Sequence, residues 1–186
     1  MIILASSSPR RAKLLADTGL EFVIKTKEID ESLIDISRLS PEEAVIKIAK
    51  AKVEAVAVDF KEDIIIGADT AVFLDNKIYG KPKDEIDAIN MLTELNGKTH
   101  NVITGVAIYH NGIIDTFSSK ASVTLKKLTE IEIKDYVKTK EPMDKAGAYA
   151  IQDQGGMLVE KYDGDFFTIV GLPLKEVIKR INEIQK

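Results

Sequence analysis

The 186-residue sequence contains no cysteine. Disulfides, thiolate nucleophiles, cysteine-ligated zinc and iron–sulfur clusters are excluded together. Only two histidines occur, His100 and His110, without a third ligand at a zinc spacing, which argues against a dedicated zinc centre. No Gly-x-Ser-x-Gly elbow is present for a serine triad, and no Gly-x-Gly-x-x-Gly follows a strand to cradle a redox nucleotide. No apolar run approaches the roughly 18 residues of a membrane span, and the opening Met1-Ile2-Ile3-Leu4 is too short for a secretory signal. The expectation is a cytoplasmic protein with no membrane partner.

Positive charge is also in slight deficit, with 26 Lys and Arg against 30 Asp and Glu and a formal charge of −4. Nucleic acid and anionic membranes select basic surfaces, so neither is expected as a partner. A small anionic ligand needs only a local cluster of cations. Hydrophobic residues make up 45% of the chain and charged residues 30%, which is ordinary for a globular protein. The length suits one domain over residues 1–186, able to bury roughly 70% of its unfolded surface.

Residues 2–5 read as a short buried strand running into Ser6-Ser7-Ser8-Pro9, where Ser8 is a good N-cap and Pro9 a good first helical residue. That predicts a helix over 9–17, then a strand over 21–26 and an exposed acidic loop over 27–39. Ser40-Pro41-Glu42-Glu43 is a capping box that opens a helix over 41–58. Residues 63–67 form an apolar strand that ends before Asp69-Thr70 and resumes over 71–74, with a short segment at 77–79. A helix over 84–95 stops at Asn96-Gly97. Asn111-Gly112, between 102–109 and 113–125, is a strong hairpin signal. Thr129 and Glu132 cap a helix over 130–138, residues 147–156 are irregular, 157–162 is a strand, and 173–184 is a final amphipathic helix. The sum is an α/β protein with a mixed sheet.

Two motifs are decoys. Gly97-Lys98-Thr99 imitates the tail of a P-loop, but position 92 is Leu instead of Gly, and a helix precedes the motif instead of following it. Asp163-Gly164-Asp165 lacks the glycine and glutamate that a calcium loop requires at Thr168 and Leu174. The first reads as a helix stop and the second as a turn.

Three elements carry chemistry. At the first helix, backbone N–H groups with the Ser6 and Ser8 hydroxyls make an anion socket, and Arg10 and Arg11 add forked donors suited to phosphate. Simple capping explains Ser8 and Pro9 equally well. At Gly67-Ala68-Asp69-Thr70 a strand end places a carboxylate at the sheet's edge, where α/β ligands commonly sit; the plain alternative is an Asp bonding a turn amide. Gly80-Lys81-Pro82 adds a cation on a rigid segment. In Glu141-Pro142-Met143-Asp144-Lys145-Ala146-Gly147-Ala148-Tyr149-Ala150-Ile151-Gln152, small residues allow approach to a flat ligand and Gln152 offers an amide for a base edge. A tightly packed loop is the other reading.

These blocks, with Thr104 and Gly171-Leu172-Pro173, resemble in order those of the Maf family of nucleoside triphosphate pyrophosphatases, over essentially the whole chain. The resemblance implies two lobes around a cleft, similar to Maf and inosine-triphosphatase-like proteins. It implies hydrolysis of a nucleoside triphosphate to monophosphate and pyrophosphate with a divalent cation, Mg²⁺ or Mn²⁺. Asp69 matches the family's proton acceptor; Ser6, Arg10, Arg11, Glu31, Lys52 and Lys81 match other polar residues of its catalytic cleft. Arg10, Thr70 and Gln152 match the positions that mark the branch preferring dTTP and UTP over 7-methyl-GTP. One position departs: Asp153 stands where the family pattern has glycine.

With no cysteine, Asp69 is the candidate for orienting or deprotonating the attacking water, or for ligating a metal together with Glu31. Arg10, Arg11, Lys52 and Lys81 would offset the triphosphate charge. A non-catalytic regulator of septum formation that binds nucleotide or protein is the rival reading, and a homodimer is consistent with the resemblance.

Overall fold

Caps and prolines decide where the helices begin. The computed structural model describes residues 1–186. In it α1 (Pro9–Ala16) and α2 (Pro41–Ala57) each start on a proline, whose missing N–H is not needed in the first turn. Ser40 closes its capping box: Ser40 Oγ accepts from Glu43 N at 3.2 Å, and Glu43 Oε2 accepts from Ser40 N at 2.8 Å. Asp84 caps α3 (Glu85–Leu95), and Thr129 with Glu132 forms a second capping box on α4 (Glu130–Lys138). A short helix that the sequence did not announce, α5 (Phe166–Val170), precedes α6 (Leu174–Ile184). No helix is long and apolar enough to cross a membrane.

The strands are β1 (Ile2–Leu4), β2 (Val23–Ile24), β3 (Ile64–Leu74), β4 (Lys77–Tyr79), β5 (Thr99–His110), β6 (Ile113–Leu125) and β7 (Val159–Asp163). They form one mixed sheet in the order β2-β1-β3-β5-β6-β7, with β4 paired to β3. β1 runs parallel to both neighbours, whereas β4 on β3 and β7 on β6 are antiparallel. Asn111 and Gly112 carry φ of 48° and 83°, the paired left-handed conformation of a two-residue hairpin turn.

Two expectations need correction. β2 has only two of the six residues expected, Val23 and Ile24, and the flanking Glu21, Lys25 and Thr26 lie in solvent. β3 is one continuous strand of 11 residues, so Asp69 and Thr70 lie inside it and not at an end. The turn amides that the simplest alternative supplied for Asp69 are therefore absent; a side chain compensates its charge instead.

The chain divides into two units, Met1–Thr70 with Thr104–Ser119 and Phe166–Lys186, and Ala71–Ile103 with Lys120–Asp165. In the first, Ala49, Val53 and Val56 of α2 pack on Ile3, Ala5, Ile65, Ala107 and Tyr109. The helix backbone lies very close to the strands. A Cβ on Gly67 would come within 2.5 Å of Val53 Cγ2 and 2.9 Å of Ala49 O, and one on Gly105 within 2.5 Å of Ile46 N. In the second unit α3 and α4 pack together, burying Ala88, Leu92, Leu95, Ile133 and Val137.

Candidate active site

Lys52 follows Ala49 by three residues and precedes Val56 by four, so it stands at the edge of the buried face of α2. Gly67 and Asp69 are two apart on β3 and share the face that α2 covers. Close approach at Gly67 thereby brings Lys52 Nζ to 2.7 Å from Asp69 Oδ1. The same ammonium is 3.0 Å from Glu31 Oε1. Glu31 opens a single 3-10 turn, Glu31–Leu33, which Asp30 caps by accepting from Ser32 N. Asp69 and Lys52 are largely covered, their side chains 15% and 20% exposed, whereas Glu31 is 50% exposed.

Arg11 lies within electrostatic reach of this cluster. Burial draws its guanidinium below the ordinary arginine value; Asp69 opposes that shift, Arg10 reinforces it and Glu31 opposes it again. Arginine remains cationic throughout. Its Nε donates to Gly171 O at 2.7 Å, Nη1 to Ser6 Oγ at 3.2 Å and Nη2 to Thr70 Oγ1 at 3.0 Å. Three of five N–H donors are thus committed within the protein, leaving one on each terminal nitrogen. Gly171 has φ of 120°, and a Cβ there would fall 3.2 Å from Thr70 Oγ1 and 3.4 Å from Arg11 Nε.

The serines divide their work. Ser8 Oγ caps α1 by accepting from Arg11 N at 3.5 Å, as the capping reading requires. Buried Ser6 accepts from Ser8 N and from Arg11. Arg10 is half-buried and has a partner of its own.

The first unit therefore brings together Ser6, Ser8, Arg11, Glu31, Lys52, Asp69 and Thr70. Lys81 and Gln152 belong to the second unit. Lys81 is exposed next to Gly80, whose carbonyl accepts from Gly147 N at 3.1 Å. Gln152 is half-buried and extended, and its side chain caps nothing. The turn after it hangs on Glu141: Oε1 accepts from Tyr136 Oη at 3.0 Å and Gly155 N at 2.8 Å, and Oε2 accepts from Gln154 N. Gly147 would meet Val72 Cγ2 at 2.9 Å through a Cβ, and Ala148 is fully buried. Here the packed-loop reading of the small residues prevails over an open surface for a flat ligand.

Neither histidine acts as a ligand in a cluster. His100 is buried with Nε2 2.6 Å from Tyr149 Oη, and His110 contacts Asn111. No local sequence pattern assigns a role to Gly171, Thr104 or Glu141. The glycine contacts Arg11 from 160 residues away, and no local pattern encodes that.

The donor set suits a hard divalent cation. Two carboxylates converge on a single positive centre, and Mg²⁺ or Mn²⁺ commonly takes one or two protein carboxylates and completes its shell with water and phosphate oxygens. No third Asp, Glu or His joins the pair. The residues that would hold the ion are Asp69 and Glu31.

Comparison with known proteins gives the family. The family profile described as Maf-like protein matches residues 1–184. A dTTP/UTP pyrophosphatase of Acholeplasma laidlawii is 45% identical over 183 residues, covering 98% of this chain and 96% of the relative. One from Clostridioides difficile is 47% identical over 180 residues, covering 95% and 91%. Among solved structures, the Staphylococcus aureus Ham1 protein superposes with a TM-score of 0.51 at 12% identity, over 100% of this chain and 99% of that one; the likeness concerns fold alone. A match spanning nearly every residue, on a sheet that positions the motif residues Ser6, Arg11, Asp69 and Thr70 around one another, establishes that the chain belongs to the Maf family.

Proposed function

We propose that this protein is a nucleoside triphosphate pyrophosphatase that hydrolyses dTTP and UTP to the monophosphate and pyrophosphate. The reading rests above all on one observation: Lys52 holds Asp69 and Glu31 on a single ammonium, within the electrostatic reach of Arg11. The names of the relatives give the substrate pair.

In the reaction, water attacks the α-phosphorus, a new P–O bond forms, and the bond from that phosphorus to the α–β bridging oxygen breaks, releasing pyrophosphate. Asp69 orients the water and accepts its proton, and the positive groups offset charge on the phosphate oxygens. Lys52 fixes both carboxylates. Arg11, clamped by three protein acceptors, presents a rigid cation whose uncommitted donors suit phosphate. A divalent cation on Asp69 and Glu31 would supply Lewis-acid neutralisation of the phosphate oxygens. Ser6 acts through Arg11. Lys81 and Arg10 provide further charge for the polyphosphate, and Gln152, whose amide is not used in capping, reads the base.

The test is incubation with a panel of triphosphates, including dTTP, UTP, 7-methyl-GTP and CTP, plus Mg²⁺ or Mn²⁺. Pyrophosphate and monophosphate should appear fastest from dTTP and UTP. Nucleotide binding without products would replace this reading with that of a regulator.

A further inference from the structure

We propose that Thr104 is a positioning residue of this site, whose hydroxyl sets the direction of the Thr70 proton and thereby holds the Arg11 guanidinium in its seat between Thr70, Ser6 and Gly171. The role in turnover rests on the pyrophosphatase reading, whereas the role in holding Arg11 does not.

Proton counting fixes the direction of every bond in this chain of hydroxyls. Thr104 is fully buried on β5, and its Oγ1 donates to the Thr168 carbonyl of α5 at 2.8 Å. A hydroxyl has a single proton. The 2.8 Å contact between Thr104 Oγ1 and Thr70 Oγ1 must then be donated by Thr70. With its proton committed, the Thr70 oxygen can only accept, and the group facing it at 3.0 Å, Arg11 Nη2, can only donate. The chain Arg11 to Thr70 to Thr104 to Thr168 O therefore has one polarity and no alternative. It ties α1, β3, β5 and α5 together, and Thr168 Oγ1 continues to Ser119 of β6 at 2.7 Å.

Without the Thr104 hydroxyl, the Thr70 proton loses its acceptor and can turn toward the guanidinium, setting donor against donor. Ser6 and Gly171 still hold Arg11, so the expected effect is a loosened side chain and not a lost one.

The experiment uses the full chain with Thr104→Val and Thr104→Ser, each also in an Arg11→Lys background. The first readout is the arginine side-chain ¹⁵N–¹H NMR spectrum, with the Arg11 signals identified by their loss in Arg11→Lys. Resolved Arg11 Nη signals should average in Thr104→Val and stay resolved in Thr104→Ser. The second is dTTP turnover: kcat/KM should fall about tenfold in Thr104→Val and recover to within about threefold in Thr104→Ser. In the Arg11→Lys background the valine change should cost no more than about twofold, because the pair acts as a unit. Should Thr104→Val not fold, the Ser/Ala pair at 104 isolates the same hydroxyl. Unchanged Arg11 signals, or an equal turnover loss in both backgrounds, overturns the proposal. A wild-type protein that releases no pyrophosphate from any triphosphate overturns the functional reading instead, and the NMR comparison still decides the role of Thr104.

Discussion

Asp69 lies within a strand, where neighbouring backbone groups are already paired, so its carboxylate answers to Lys52 and not to turn amides. Replacing it with asparagine keeps its shape while removing its charge and its capacity to take a proton. Asp69→Asn should keep the wild-type circular dichroism and nucleotide binding while turnover falls by about 10²–10⁴, the usual worth of a general base. Asp153 makes a separate test. Its φ is 56°, a conformation that favours glycine. Asp153→Gly should raise stability by about 0.5–1 kcal/mol in urea unfolding; a loss would show that the aspartate has a compensating bond. At this scale the sequence was readable wherever the partner is local. Ser8, Ser40 and Thr129 cap their helices as their spacing indicates. It was silent where the partner is remote, as for Gly171 under Arg11 or Thr104 under Thr70, 34 residues apart.

Between elements, the decisive feature is the closeness of α2 to β3 and β5. Gly67 and Gly105 make it possible, since added methyl groups would strike helix backbone or Val53. Gly105→Ala should destabilise the protein by about 1–3 kcal/mol, measured as a lowered urea midpoint. Gly67→Ala should in addition part Lys52 from Asp69, so that activity per folded molecule falls along with stability. A Gly67→Ala protein with full specific activity would mean that the ion pair is not needed. The hairpin at Asn111-Gly112 and the long helices were legible because turn chemistry and 3.6-residue periodicity act locally. The continuity of β3 through Asp69 was not, because a charged residue in a strand looks like an interruption until its cross-element partner is known. The five residues of α5 are too few to show a period.

For the molecule as a whole, pH enters through His100. Burial pushes its imidazole down to about 4 from the ordinary 6.5. The unfolded chain therefore takes up a proton below about pH 6.5 that the folded state refuses. Stability should fall as pH drops from about 6.5 to about 4, by on the order of 3 kcal/mol for this one group. Unfolding midpoints measured across that range should slope less steeply in His100→Gln than in the wild type. An identical slope would assign the acid sensitivity to other groups. The mixed α/β architecture and the family motifs were apparent from the linear sequence. The resemblance puts Glu31, Lys52 and Asp69 in one cleft, but their pairing on a single ammonium was not legible, because they come from a loop, a helix and a strand that only the fold brings together.

The most direct test of that triad is a single turnover of dTTP with Mg²⁺ in ¹⁸O-labelled water, comparing wild type with Asp69→Asn. The account predicts one labelled oxygen in the monophosphate, none in the pyrophosphate, and a rate loss of at least about 10² in the variant. Label in the pyrophosphate, or equal rates for the two proteins, would contradict it.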